Sequence, residues 1–569
     1  MTFKLLAAIR GSFLYAPIRK WRLRRLAFQT GAMPVWRKLR VGHEQRWRAA
    51  LREAARPRVL IATNLGLHFT AGTIDSLMAH ALTLRGAQVE VLLCDGILPA
   101  CQVVEKTLAP NIVRYAKKGP QPDFCNVCRE RGTSVYDDTG IRCRSISEWL
   151  TDRDMVEADV FAEDVLSGAA GPENADRLAE HALAGALRFF GRAELTESDL
   201  HRQVYWRYLK AAYLVDVSSR RMFEQGRYEV VVAHHGIYVP QGIVADAARN
   251  ADARVVTWHP SYRRGRLIFQ HGDTYHRAMI NESSVRWARP LSAAMDGALE
   301  DYLEARESGN SDWITFQRRD PHMAHDIHCS LGLDRDRPID LLLSNVAWDA
   351  RLHYPESAYG NMFDWAQDTV AWYAKHPERQ LVVRCHPGEV LSSPRSDEPL
   401  AQVLRRTFPD WPANVKIVAA NNPTNTYDLA RLAERVLIFN TKMGVELAAR
   451  GMPVIVAGDA WIRGKGFSHD AGSGEDYLVL LSNPATLAPL SEQAHDMARR
   501  YAYHFFFRRC MPIKALTSRS GWPLAGIAED GFAELEPGVD TGLDAVCEGI
   551  LEGTPFEYSG DAAERGEAA

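Results

Sequence analysis

Three stretches in the second half of the chain combine small, polar and charged residues as a phosphate-bearing ligand requires. The first is Phe439-Asn440-Thr441-Lys442-Met443-Gly444-Val445-Glu446. Asn440 and Thr441 offer short polar side chains at a predicted helix start, and Gly444 permits close approach. Glu446 falls one turn in, where it can take a ribose or sugar hydroxyl. A helix start also presents free N–H groups and partial positive charge, which suit a phosphate. A capped helix with nothing bound accounts for Asn440 and Thr441 equally well. The second stretch is Arg384-Cys385-His386-Pro387-Gly388-Glu389, where His386 can donate a hydrogen bond and Pro387 fixes the turn that aims it. A His-Pro pair alone says little, since His259-Pro260 and His376-Pro377 also occur. The third runs from Gly458 to Phe467, with Arg463 and Lys465 between glycines, able to wrap a diphosphate or an acidic sugar.

The first half offers groups for proton transfer. Gly66, His68, Thr70 and Gly72 lie in one glycine-bearing loop, with Asp75 just beyond it. His234-His235 lies in another. Proton abstraction from a ligand hydroxyl needs a base within reach, and His68, Asp75 and His235 are candidates. Each can equally be a helix cap or a buried, hydrogen-bonded side chain. Asn345 and Asp349 are placed to face the same cleft. No metal is expected for catalysis.

Nine cysteines are present, and five fall between Cys94 and Cys143. Cys125-x-x-Cys128 is a pair that can chelate one metal. With Cys94 and Cys101 it makes four thiolates, enough for a tetrahedral structural zinc. An iron–sulfur cluster is the metal alternative. Buried free thiols are the reading without a metal. Cys143 is a spare.

The elements that must position these residues read as strand and helix in alternation. Val59-Leu60-Ile61-Ala62-Thr63 is a short apolar run, followed by the glycine-bearing loop and a helix pattern with Ile74, Leu77, Met78, Ala81 and Leu82 on one face. Val89 to Leu93 is the next strand. That is the opening βαβ unit of a doubly wound domain. Strands return at Val230–Ala233 and Arg254–Trp258. A second series runs through Ile339–Leu343, Gln380–Arg384, Val415–Val418, Val436–Phe439 and Val454–Ala457. In open α/β sheets ligands sit at the carboxyl ends of strands, where all three stretches lie.

The resulting division is a basic amphipathic segment over 1–56 and a first Rossmann-like domain over 57–288, with a Cys-containing, largely helical insertion at about 97–220. A helical connection follows over 289–338, then a second Rossmann-like domain over 339–489. A helix crossing back occupies 490–536, and a loose polar tail 537–569.

A chain of 569 residues exceeds one hydrophobic core, so two domains are expected. The net charge of −3 gives no reason to expect nucleic acid as a partner. No apolar run reaches membrane-spanning length, and no cleaved secretory segment is expected at the start. Within residues 1–56, Arg19, Lys20, Arg22, Arg24 and Arg25 alternate with Trp21, Leu23 and Leu26, with Phe13, Leu14, Tyr15 and Trp36 as further apolar anchors. Such a segment suits the face of an anionic membrane, or packs on the body as a helix. A cytoplasmic location, peripheral on the inner face of the membrane, is expected.

The run Phe439 to Phe467, with Arg384 to Glu389 upstream, resembles the bacterial capsule polysaccharide biosynthesis proteins, which include the capsule Kdo-transferase-like glycosyltransferases of GT-B architecture. The resemblance is specific over about the last third of the α/β body and looser before it. It implies two Rossmann-like domains facing a cleft, with a nucleotide-sugar donor held by His386, Asn440, Thr441, Gly444 and Glu446. Lys442 departs from the small residue the pattern carries there. A CMP-sugar is the donor implied, with a UDP-sugar next, and a surface polysaccharide or lipid-linked glycan the acceptor. A nucleotide-sugar 2-epimerase and a non-catalytic capsule assembly or export partner are the alternatives.

Overall fold

Two sets of short apolar strands separated by helices each close into one sheet. The computed structural model describes residue 21, residues 33–309 except 107, 110 and 170, residue 312, residues 326–518 except 353, and residues 525–560. The first set is β1 (Arg58–Asn64), β2 (Gln88–Leu93), β3 (Arg142–Ser145), β4 (Val230–His234), β5 (Arg254–Pro260) and β6 (Arg266–His271). The second is β7 (Ile339–Leu343), β8 (Gln380–Arg384), β9 (Val415–Val418), β10 (Arg435–Ile438), β11 (Val454–Val456) and β12 (His469–Asp470). A further strand, β13 (Met511–Pro512), returns to the first sheet, and β14 (Leu516–Ser518) pairs antiparallel with β15 (Ala525–Ile527) apart from both sheets.

The strand orders are β13-β6-β5-β4-β1-β2-β3 and β12-β11-β10-β7-β8-β9. β1 to β5 are parallel, with Val59 beside both Val89 and Val230. The second sheet is parallel throughout. Each sheet runs outward in one direction from its first strand, then jumps back to that strand's other side. This is the doubly wound arrangement, and two such domains facing a cleft make the GT-B fold. Both faces of each sheet are buried. Leu60 and Ala62 pack into one core and Val59 and Ile61 into another. Likewise Leu341 and Leu343 face one side and Leu342 the other. Burial on both faces is why these strands read as continuous apolar runs.

Three expected boundaries change. The segment 97–220 does not leave the sheet, because β3 lies within it and pairs with β2 through Glu90–Arg142 to Leu93–Ser145. An edge strand of sequence Arg-Cys-Arg-Ser carries no apolar signature. The 28-residue helix Asp199–Gly226 is the crossover that returns the chain to β4. The tail is not loose from 537: the helix Thr541–Glu552 buries Leu543, Val546, Cys547 and Ile550 in the first domain. The helix Glu492–Tyr503 is followed by β13, which pairs antiparallel with β6 of the first sheet.

The basic residues and anchors expected to meet a membrane lie at 1–32, outside the described residues except for Trp21. Trp36 is not an anchor, since its ring stacks on His80 at 3.9 Å in the core. Among the described residues no helix is long and apolar enough to cross a membrane.

Candidate functional site

The strand order reverses between β1 and β4 in one domain and between β7 and β10 in the other. Loops leaving neighbouring strands part there, which opens a crevice at the carboxyl edge. A cavity of about 330 Å³ lies where the domains meet. From the second domain it is lined by Ser344, Asn345 and Asp349 after β7, Arg384 and His386 after β8, Asn425 to Tyr427 after β9, and Asn440 to Met443 after β10. Trp461 comes from the loop after β11. The first domain contributes His259, Tyr262, Tyr275 and His276. Arg306 reaches in from the helix Ala293–Ser308, which connects the domains.

Of the expected residues, the cavity gathers Asn345, Asp349, Arg384, His386, Asn440 and Thr441. The Asn345 amide donates to the Val346 carbonyl at 3.2 Å, while its buried Oδ1 has no protein donor. Tyr238 donates to Asp349 Oδ1 at 2.8 Å. Arg384 is turned to structural work, donating to the Ala419 carbonyl at 2.7 Å and holding the turn after β9; burial lowers its pKa to about 10. The His386 ring accepts from the Gly388 N–H at 3.0 Å through Nδ1, and burial holds its pKa at about 4. It is therefore neutral at pH 7, and its Nε2 carries the proton, as a donor to a phosphate requires.

The helix after β10 differs from its expected role. It spans only Met443–Ala448, and its first N–H groups are already bonded, Gly444 and Val445 to the carbonyls of Thr441 and Lys442 at 3.2 and 2.9 Å. The positive charge at this corner is Lys442 instead. Glu446 does not reach the cavity. It is buried and receives Lys442 Nζ at 2.8 Å, Arg306 Nε at 3.1 Å and the Tyr427 hydroxyl. Arg306 also pairs with Asp312. Gly444 is small for packing: a β-carbon there would fall 2.6 Å from Ile438 Cδ1.

Four other expected donor or acceptor residues are spent inside the protein. Glu389 is buried and accepts from the Leu400 N–H at 3.1 Å; burial raises its pKa to about 7. Arg463 donates to the carbonyls of Gly458 at 2.9 Å and Ala471 at 2.6 Å. Lys465 donates to the Ile280 carbonyl at 2.9 Å, with the Tyr501 ring 5.0 Å away, and so joins the domains. Gly72 is buried beneath Met33, whose Cε would lie 2.6 Å from a β-carbon.

The expected bases fare similarly. Asp75 is fully buried beneath the first sheet and accepts from Trp258 Nε1 at 2.7 Å. His68 caps the helix Phe69–Leu84, accepting from the Ala71 N–H at 3.3 Å, with Thr70 half-buried in the first turn. Both ring nitrogens of His235 are engaged, Nδ1 by the Ile237 N–H at 3.1 Å and Nε2 by the Gln102 amide at 2.7 Å. None of these three lines the cavity. Two first-domain histidines do line it, His276 and, at the end of β5, His259. His259 is the one held by a backbone carbonyl. Its Nδ1 lies 2.7 Å from the Pro260 carbonyl, which can only accept, so Nδ1 carries the proton and Nε2 the lone pair. Burial lowers the His259 pKa, and Asp349 works against that from across the cleft. The His-Pro spacing gave no reason to choose it over His376.

Gly66 serves the cysteines. Its backbone lies so close to the Cys128 carbonyl and to Gly132 that a β-carbon would overlap both. Cys101 and Cys128 are buried and Cys94 and Cys125 half-buried, and burial together with their mutual repulsion raises the thiol pKa of Cys94 to about 12 and those of Cys125 and Cys128 further. Cys143 packs on the other face of the sheet. Among the described residues no three His, Cys, Asp or Glu side chains are gathered tightly enough to hold a single metal ion.

No family model matches the chain, and none of the curated proteins does. Among solved structures it is similar to the KpsC beta Kdo 2,4 transferase of Thermosulfurimonas dismutans, at 15% identity and a TM-score of 0.33 over 55% of this chain and 88% of that one. It is similar to a glycosyltransferase from Rickettsia africae at 9% identity and a TM-score of 0.27, over 88% of this chain and 100% of the other. It is also similar to the UDP-GlcNAc 2-epimerase of Neisseria meningitidis at 11% identity and a TM-score of 0.23, over 79% and 97%. At these values the fold stands on its own two strand orders.

Proposed function

We propose that the protein is a glycosyltransferase that moves a sugar from a nucleotide-activated donor to a hydroxyl of a glycan acceptor. The supporting observation is one cavity with two chemically different walls. The β7/β10 side offers Lys442, Asn440, Thr441 and the His386 donor, which suit a phosphate. The opposite side offers His259 with a lone pair on Nε2. The volume is in the range of small-ligand sites, roughly 300–1,000 Å³.

In the reaction the acceptor hydroxyl gives its proton to His259 Nε2 as its oxygen bonds to the anomeric carbon. The bond from that carbon to the phosphate oxygen breaks, and its electron pair leaves with the nucleotide. Negative charge grows on the leaving phosphate, which Lys442 and His386 are positioned to meet. A single displacement of this kind inverts the anomeric centre. The resemblance of the β8 and β10 loops favours a CMP-sugar donor, then a UDP-sugar, and a surface, capsule or lipid-linked glycan as acceptor.

Calorimetry with CMP, UDP and GDP, followed by acceptor-dependent release of the nucleotide that binds, tests this reading. Release that requires an acceptor is expected. Conversion of the donor sugar without acceptor would make the protein an epimerase, and no binding of any nucleotide would make it a non-catalytic partner.

A further inference from the structure

The sugar moved in the proposed transfer must lie between the phosphate that leaves and the base that receives the proton. Aromatic rings join those two points along one wall of the cavity. Lys442 Nζ lies 4.5 Å from the centre of the Tyr262 ring, and Tyr262 lies 6.2 Å from Trp461 between ring centres. Trp461 lies 6.0 Å from Tyr275, which stacks on His259 at 4.6 Å. His276 stands beside this row, 5.5 Å from Trp461. All five rings and Lys442 line the cavity. An aromatic face is negative and meets the slightly positive C–H groups of a sugar ring.

Two members of this wall carry polar atoms that folding leaves without partners. Trp461 and His276 are each 6% exposed, and neither Trp461 Nε1 nor His276 Nδ1 has a hydrogen-bond partner in the protein. A buried indole N–H ordinarily finds an acceptor, and leaving one without is costly. Trp36 and Trp365 share the lack inside apolar cores. Trp461 differs from them in lining a cavity that a ligand can enter. Burial holds the His276 pKa at about 4, so its ring is neutral at pH 7 and offers one N–H and one lone pair. A sugar hydroxyl both donates and accepts, and so can serve the Trp461 N–H and either tautomer of His276.

We propose that Trp461 and His276 recognise the transferred sugar, which lies along Tyr262, Trp461 and Tyr275 with its hydroxyls taking the Trp461 N–H and pairing with His276. This rests on the transfer proposed above and names the sugar subsite within it. Trp461 comes from the second domain and His276 from the helix Tyr275–Ile280 of the first, so the subsite is complete only where the domains meet. Selectivity for the pattern of hydroxyls follows, because a site that hydrogen-bonds a hydroxyl rejects an analogue lacking it.

The test is calorimetry of the full chain with each bare nucleotide and its sugar-bearing forms: UDP with UDP-glucose and UDP-N-acetylglucosamine, CMP with CMP-N-acetylneuraminate, and GDP with GDP-mannose. For the nucleotide that binds, Trp461→Phe should keep the affinity for the bare form and lose about two- to tenfold for the sugar-bearing form, the worth of one hydrogen bond. His276→Phe should do the same. The thermal midpoint of ligand-free Trp461→Phe should stay close to wild type, because the N–H it removes has no partner in the fold. Equal affinity of variants and wild type for the sugar-bearing form, with the bare nucleotide bound as before, would overturn the subsite and leave the transfer reading standing. An equal loss for bare and sugar-bearing forms would also overturn it, by placing Trp461 against the nucleotide. A wild type that binds none of these ligands would overturn both readings.

Discussion

Lys442 Nζ stands 2.8 Å from Glu446 Oε1 in its own domain and 4.5 Å from the centre of the Tyr262 ring in the other. A cation is thus held at the seam between the domains, beside the cavity. Burial lowers its pKa, as does the neighbouring Arg306, and the outcome is about 8. Lys442 is therefore charged at neutral pH and loses its proton on mild alkalinisation.

Nucleotide affinity should follow that proton. The protonated form meets a phosphate, so binding measured by calorimetry should hold steady below about pH 8 and weaken above it. Lys442→Gln should bind roughly ten- to a hundredfold more weakly at pH 7, since a hydrogen bond to a charged group is worth about 1.5–3 kcal/mol. Equal affinity for variant and wild type from pH 7 to 9.5 would remove Lys442 from the site.

Glu446 should matter to stability. Burial pushes its pKa up, but Arg306 and Lys442 outweigh that and hold it at about 2, below its ordinary 4.5. A depressed carboxylate contributes stability that is complete above the unfolded value and lost as pH falls through the folded one. The Glu446 contribution should therefore fade between pH 4.5 and about 2. Glu446→Gln leaves Arg306 buried with Asp312 alone, and should cost about 3–5 kcal/mol in urea unfolding at pH 7. A cost under about 1 kcal/mol, the usual worth of an exposed pair, would show that the pair is hydrated in solution.

His259 should set the acid limb of kcat/KM. Its neutral form is the base, and burial lowers its pKa, so the limb should lie below the ordinary histidine value of 6.5. His259→Ala should lower kcat by about a hundredfold or more, the usual share of a general base, with nucleotide binding intact. His68→Ala should be milder, because that ring caps a helix. A wild-type profile in His259→Ala would move the base elsewhere.

Asp75 should act on folding and not on turnover. Its carboxylate takes the Trp258 indole N–H at 2.7 Å beneath the sheet. Asp75→Ala should cost about 1–3 kcal/mol by leaving that donor without its acceptor, while the folded fraction keeps its kcat. A large fall in kcat at unchanged thermal midpoint would place Asp75 in the chemistry.

Most strands of both sheets were legible because burial on two faces demands largely apolar residues, as in Ile339–Leu343, where Asp340 alone is polar. β3 was not, because an edge strand of Arg142, Cys143, Arg144 and Ser145 has no such demand on it. The helix Thr541–Glu552 was missed because Gly, Asp and Glu dilute its apolar stripe, although Leu543, Val546, Cys547 and Ile550 keep the i, i+3, i+4 and i+7 spacing. The cavity wall was half legible. Asn345, His386, Asn440 and Thr441 follow strands directly, and strand ends are where such sheets bind ligands.

By itself the sequence determined two doubly wound domains and the loops that end their strands. These depend on local periodicity and on residue type. Only the tertiary structure decided which loop residues remain available to a ligand. Arg463, Lys465 and Glu389 look like binding groups in the chain, yet Gly458, Ala471, Ile280 and Leu400 take up their hydrogen bonds. Arg306, 140 positions before Glu446, enters the site from a connection with no motif of its own. A polar side chain is free or spent according to the partners that folding brings within about 3 Å. Those partners come from strand order and domain contact, which no single stretch of sequence contains.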